Sequence, residues 1–156
     1  MRRLLPIIVA MIIVGVGFAA RADFAGGAQA YDGGNYKTAL EEWIVLAWKN
    51  DTNVQVAIAG MYRFGEGRRV DLPNAARWYQ RAADLGEAIA QLNLGEMYML
   101  GLGVPRDAAR AHLWLTLAAR QGRAWARDRR DGLARQMTTE ELDRANRLLR
   151  KREAPK

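Results

Sequence analysis

The chain has no cysteine, no serine and a single histidine, His112. Without cysteine there is no disulfide framework, thiolate metal site or thiol nucleophile. Without serine there is no serine hydrolase, and one histidine excludes any metal site built on two imidazoles. Proline is also scarce, at four in 156 residues. Half the residues are hydrophobic and 26% are charged, which is globular composition and not that of a disordered tail. At roughly 100–200 residues per domain, the length predicts one domain.

Long apolar runs are confined to the start. Arg2 and Arg3 precede an uncharged run of 17 residues, Leu4 to Ala20, which closes on Ala20-Arg21-Ala22. A short basic region, an apolar stretch and an A-x-A pattern form the layout of a secretory signal peptide. Residues 1–22 are therefore expected to be a signal cleaved before Asp23, and the mature chain to be periplasmic or secreted. The alternative is an uncleaved N-terminal anchor, although a transmembrane helix needs about 20 apolar residues and this run falls just short.

Charge is uneven. The whole chain carries +7, with three of the positives (Arg2, Arg3, Arg21) in the signal. Residues 120–156 hold 12 Lys and Arg against 6 Asp and Glu, whereas residues 23–119 hold 9 against 11. The basic C-terminal helices could touch anionic lipid at the periphery of a membrane. Their bland reading is a solvated charged face. Export removes nucleic acid as a partner.

The body repeats. At an offset of 36, residues 51–86 fall on residues 87–122 with 11 of 36 positions identical, against about 2 or 3 by chance. The matches include Gln55/Gln91, Met61/Met97, Tyr62/Tyr98, Gly65/Gly101, Gly67/Gly103, Asp71/Asp107, Trp78/Trp114 and Gly86/Gly122. A period of this length belongs to helical solenoids. Ala90, Leu94, Met97 and Tyr98 share one helical face. Gly101-Leu102-Gly103 then ends that helix, since glycine accepts the positive φ of a tight turn. Asp71 and Asp107 are expected N-caps. Gly86 and Gly122 fall where left-handed C-terminal turns belong. Thr138 and Glu141 form an expected capping box, with Met137 and Leu142 as its hydrophobic staple.

Residues 88–104, Ala-Ile-Ala-Gln-Leu-Asn-Leu-Gly-Glu-Met-Tyr-Met-Leu-Gly-Leu-Gly-Val, followed by Asp107, Ala111, Trp114, Ala118-Ala119 and Gly122, resemble a Sel1-like repeat, a relative of the tetratricopeptide repeat. Residues 51–86 resemble it less closely, with Ala59 at the usual glycine and Arg68-Arg69 in place of Val-Pro. The resemblance implies an all-α solenoid of antiparallel helix pairs with a protein-binding or scaffolding role. The expected organisation is a signal at 1–22, one domain at 23–152 and a tail at 153–156. Within the domain, an N-terminal hairpin (23–50) and a C-terminal capping hairpin (123–152) flank the two repeats, 51–86 and 87–122.

The resemblance also implies that partner contacts come from variable positions of each first helix. These are Asn53, Val56, Gly60 and Arg63 in the first repeat, and Ile89, Leu92, Glu96 and Met99 in the second. Such a mixed set suits an amphipathic helix or an extended peptide. No catalytic residue, cofactor or metal is expected. Glu41-Glu42 diverge on a helix, no D-x-D-x-D-G loop is present, and His112 reads as a solvent-side or capping residue. The five tryptophans, Trp43, Trp48, Trp78, Trp114 and Trp125, read as core or inter-repeat packing. The chain is thus expected to be a monomeric, non-catalytic adaptor that holds a protein partner in the cell envelope. The alternatives are a membrane-attached structural protein of the envelope or a regulator of a cell-wall enzyme.

Overall fold

A computed structural model describes residues 24–154. The expected signal at 1–22 and the last two residues lie outside the described residues. Among the described residues there are eight helices and no strand: α1 Phe24–Asp32, α2 Tyr36–Trp48, α3 Thr52–Phe64, α4 Leu72–Asp84, α5 Ala88–Leu100, α6 Ala108–Arg120, α7 Ala124–Ala134 and α8 Thr139–Glu153. Each odd-numbered helix packs against the next as a hairpin in the first three pairs, and each pair packs on its neighbour through α2·α3, α4·α5 and α6·α7. The final helix, α8, returns to lie on α6.

The helix starts repeat with the sequence. Asn35, Asp71 and Asp107, spaced 36 apart, each accept the backbone N–H three residues on, so α2, α4 and α6 begin alike. Side-chain oxygens at such positions satisfy orphan amides and suit the positive dipole end. Asp51 and Glu87 serve α3 and α5, whereas α7 begins at Arg123 with no side-chain cap. The Thr138–Glu141 capping box is present in full. Gly86 and Gly122 follow α4 and α6 at φ +95° and +83°.

The second glycine of each G-x-G turn explains how repeats stack. Gly103 has φ +69°, and a Cβ there would lie 2.3 Å from the Leu72 carbonyl carbon and oxygen at the start of α4. Gly67, 36 residues earlier, meets the Tyr36 Cβ in the same way at the start of α2. Each turn thus docks backbone against the previous unit's second helix, where no side chain fits.

The core is one continuous cluster with equivalent residues in successive units: Ile58 and Leu94, Met61 and Met97, Tyr79 and Leu115, Trp78 and Trp114. Alanines at 39, 75 and 111 let the helices approach closely. Gln55 and Gln91 are buried and act as staples between units, since their side-chain amides donate to Ala47 O (2.8 Å) and Ala83 O (3.3 Å) in the preceding helix.

Three expectations are corrected here. Trp43, Trp78 and Trp114 are buried, but Trp48 and Trp125 are 61% and 60% exposed. Trp48 is the last residue of α2 and Trp125 the second of α7, so both sit at helix ends, where neighbours such as Trp78 and Arg81 beside Trp48 cover only part of the ring. His112 is half-buried instead of solvent-side or capping, with Nδ1 3.5 Å from the Thr116 hydroxyl. Burial, then the neighbouring Arg130, lowers its pKa. Finally, α8 runs one residue past the expected boundary, and Glu153 pairs with Arg120.

Candidate partner-binding face

The expected contact positions form one stripe on α3 and one on α5, because steps of three and four residues return to the same helical face. Asn53 and Ile89 are exposed near the helix starts. Val56, Leu92 and Met99 are half-buried and lean on the core. Gly60 opens onto free space, as a Cβ there would meet nothing within 4 Å.

Arg63 and Glu96 are brought together across the two repeats, with Arg63 Nη2 3.7 Å from Glu96 Oε2 and both side chains largely buried. Arg63 also donates to Asn93 Oδ1. The other Glu96 oxygen faces Arg129 Nη2 at 3.6 Å and accepts from Trp125 Nε1 at 3.4 Å. One carboxylate therefore ties three successive first helices, α3, α5 and α7. Its charge is spent within the protein, where removing it would leave two guanidiniums facing each other. Upstream, Tyr31 on α1 donates to Glu66 just past α3 at 2.8 Å. That hydrogen bond, with burial second, pushes the Tyr31 hydroxyl up to about 12.

Sequence reasoning missed four residues of this face. Phe64 and Leu100, 36 apart at the ends of α3 and α5, are 67% and 57% exposed. Trp125 stands 36 residues after exposed Ile89. Arg129 stacks over Trp125 at 5.1 Å from the ring centroid. An i+4 step from Gly60 and from Glu96 reaches Phe64 and Leu100, and the 36-residue offset carried from Ile89 into residues 123–136 reaches Trp125. Beside Leu100 and Arg129, a hollow of about 460 Å³ opens where Gly132 takes the place of Glu96. The face thus has exposed apolar groups at both edges and a paired, net-positive centre.

The basic C-terminal helices spend much of their charge internally. Arg144 makes a bidentate pair with Asp107, the α6 cap (3.2 and 2.7 Å). Arg152 reaches Asp84 and the Ala83 and Asp84 carbonyls at the end of α4, and stacks over Trp114. These contacts pin α8 across two units. Among the described residues, no group of three acidic or imidazole side chains could hold a metal, and no helix is long and apolar enough to cross a membrane.

Stacked antiparallel helix pairs with a 36-residue period define a helical-repeat solenoid. The Sel1 repeat family model matches two successive stretches of the chain, residues 54–87 and 88–122. Among solved structures, it is similar to a protective antigen of uropathogenic Escherichia coli strains that displays an SLR fold (28% identity, TM-score 0.74, 81% of this chain). It is also similar to a Sel1 repeat protein from Oxalobacter formigenes (26% identity, TM-score 0.68, 83% of this chain). The matches span 28% and 56% of those two chains. Sel1 repeats are generally protein-interaction scaffolds, and the fold is typically non-catalytic.

Proposed function

We propose that this chain is a non-catalytic adaptor of the cell envelope that holds a peptide or partner domain on the face of its first helices. The observation that carries the reading is the recurrence of exposed apolar residues at equivalent repeat positions. Ile89 with Trp125, and Phe64 with Leu100, edge a centre whose charges are already paired. Repeat packing does not require these residues to be apolar, and exposed aromatic anchors are the groups that carry binding energy. Placement in the envelope rests on the layout of residues 1–22.

The test places a photo-crosslinking residue at Ile89 in the full chain, in living cells, and a control at Lys37. A discrete adduct formed from position 89 and lost in the Phe64→Ala/Trp125→Ala variant is the expected result. An adduct that survives that variant, or forms equally from position 37, refutes the assignment. N-terminal sequencing of the exported form should begin at Asp23. A retained Met1 with membrane sedimentation would favour the anchored structural protein instead.

A further inference from the structure

The strongest unexplained feature lies away from that face, where α2 ends against α4. A groove of about 660 Å³ opens there, floored by Ala76, Trp78, Leu94 and Tyr98 and edged by Val104 from the α5–α6 turn. Exposed Trp48 stands at its rim, edge-on to Trp78 with ring centroids 5.6 Å apart. Arg81 lies 3.9 Å from the Trp48 ring centroid and 5.4 Å from that of Trp78.

The charge of this groove has one sign. Arg77 and Arg81 line it, and among the described residues no Asp or Glu does. Neither arginine has a carboxylate partner among the described residues, and Arg77 makes one hydrogen bond, to Asn74 at 3.4 Å. The nearby Asp71 is occupied, accepting from the Asn74 backbone and side-chain amides at 3.0 and 2.6 Å. A guanidinium stacked on an indole keeps its N–H groups at its edge, where a carboxylate can accept two of them in plane.

The repeat does not demand these side chains. The positions equivalent to Arg77 and Arg81 are Glu41 and Val45 one unit earlier, and Leu113 and Leu117 one unit later. Two arginines four residues apart on one helix repel each other. In the following unit, the equivalent tryptophan, Trp114, is covered by Arg152 from α8. At this junction Trp48 keeps 61% of its surface exposed even with Arg81 stacked on it.

We infer that the Trp48–Arg77–Arg81 groove is a second binding site, which takes an acidic peptide segment. Carboxylates of the peptide meet the edges of Arg77 and Arg81, and an apolar side chain rests on the Trp48–Trp78 floor. Charge complementarity selects this occupant, since the groove offers unpaired cationic donors over an apolar base and no acid. Its recognising residues, Trp48, Arg77 and Arg81, lie on the second helices α2 and α4, and the inference stands independently of the first-helix reading.

The test applies the fluorescently labelled full-length chain to three arrays of immobilised octapeptides. All three alternate Leu, Phe or Tyr with a second residue, which is acidic in the first array, Asn or Gln in the second, and Lys or Arg in the third. Retention on the acidic array should exceed the amide array by about tenfold or more and should fall with added salt. Arg77→Gln/Arg81→Gln and Trp48→Ala should each abolish the preference, and Trp125→Ala should leave it intact. Thermal melts check that each variant folds. Should Arg81→Gln fail to fold, Arg77→Gln alone provides the same test. The inference is overturned by no retention on the acidic array, by equal retention on the amide array, or by a preference that survives the double arginine change. Quenching of Trp48 by a chitin oligosaccharide, with no acidic-peptide binding, overturns it in favour of a sugar site.

Discussion

Gln55 and Gln91 occupy the same repeat position but are not equally satisfied. The amide of Gln91 donates to Ala83 O, and its Oε1 accepts from Gln121 Nε2 at 2.9 Å. Gln121 also donates to Gly86 O at 2.9 Å. In the preceding unit, the Gln55 amide donates to Ala47 O, but its buried Oε1 has no partner among the described residues. The reason is one substitution between repeats, because Leu85 stands where Gln121 would be. The backbone there is already suitable, with Leu85 at φ −82°, ψ 0° and Gln121 at φ −87°, ψ 17°. Leu85→Gln should therefore supply the missing donor. An unsatisfied buried acceptor costs about 1–3 kcal/mol, and a formed hydrogen bond nets about 0.5–1.5 kcal/mol. Against this stand the ordering of the glutamine and the loss of Leu85 packing. Leu85 is half exposed, so that loss is about 1 kcal/mol. The net expectation is a gain of about 1 kcal/mol, or roughly 3–5 °C in Tm for a domain of this size. Calorimetric melts of the single variant and of the same change in a Gln55→Met background provide the assay. The gain must vanish in that background, since the acceptor is gone. An equal gain in both backgrounds, or none in the wild-type background, would refute the reasoning.

Other expectations follow from the same geometry. Gly101→Ala imposes only left-handed strain, about 1–2 kcal/mol, because its Cβ meets Arg106 at ordinary distance. Gly103→Ala adds collision with the Leu72 backbone, so its Tm should fall clearly further; equal losses would sink the docking-turn account. Glu96→Gln should cost about 2 kcal/mol by leaving Arg63 and Arg129 uncompensated, whereas Trp125→Ala should barely move the denaturant midpoint. Tyr31 has a raised pKa, so its bond to Glu66 stabilises fully below about pH 10, the unfolded value. That contribution is lost as pH rises toward about 12, with the sign of a raised folded-state pKa. The Tm difference between wild type and Tyr31→Phe should shrink over that window, and a constant difference would contradict it.

The fold was legible because a repeat writes its packing twice. Met61/Met97 and Trp78/Trp114 each mark a buried position, and Asp71/Asp107 mark starts that the backbone requires. The capping box at Thr138–Glu141 was local chemistry and equally readable. The half-buried state of His112 was not, since it depends on how α7 brings Arg130 alongside α6. The exposure of Trp48 was not legible either, because it depends on how much of the ring the following unit covers, and Trp78 and Arg81 leave most of it open.

The candidate face shows why position within a repeat and chemical role separate. Arg63 and Glu96 lie on the expected stripe, yet they do not sit at equivalent positions: Arg63 corresponds to Met99, and Glu96 to Gly60. Their pairing comes from the register of α3 against α5, which staggers one helix along the next. That register brings a cation near the end of one helix to an anion nearer the middle of the other. Charges that meet through register stiffen the scaffold, so they are poor candidates for the groups a partner reads. The residues left for recognition are those that are outside the ion pairs and not buried. Along the first helices these are Ile89, Phe64, Leu100 and Trp125, and on the second helices Trp48, Arg77 and Arg81. In a solenoid whose repeats are otherwise alike, differences between equivalent positions that packing does not explain are where binding specificity is written.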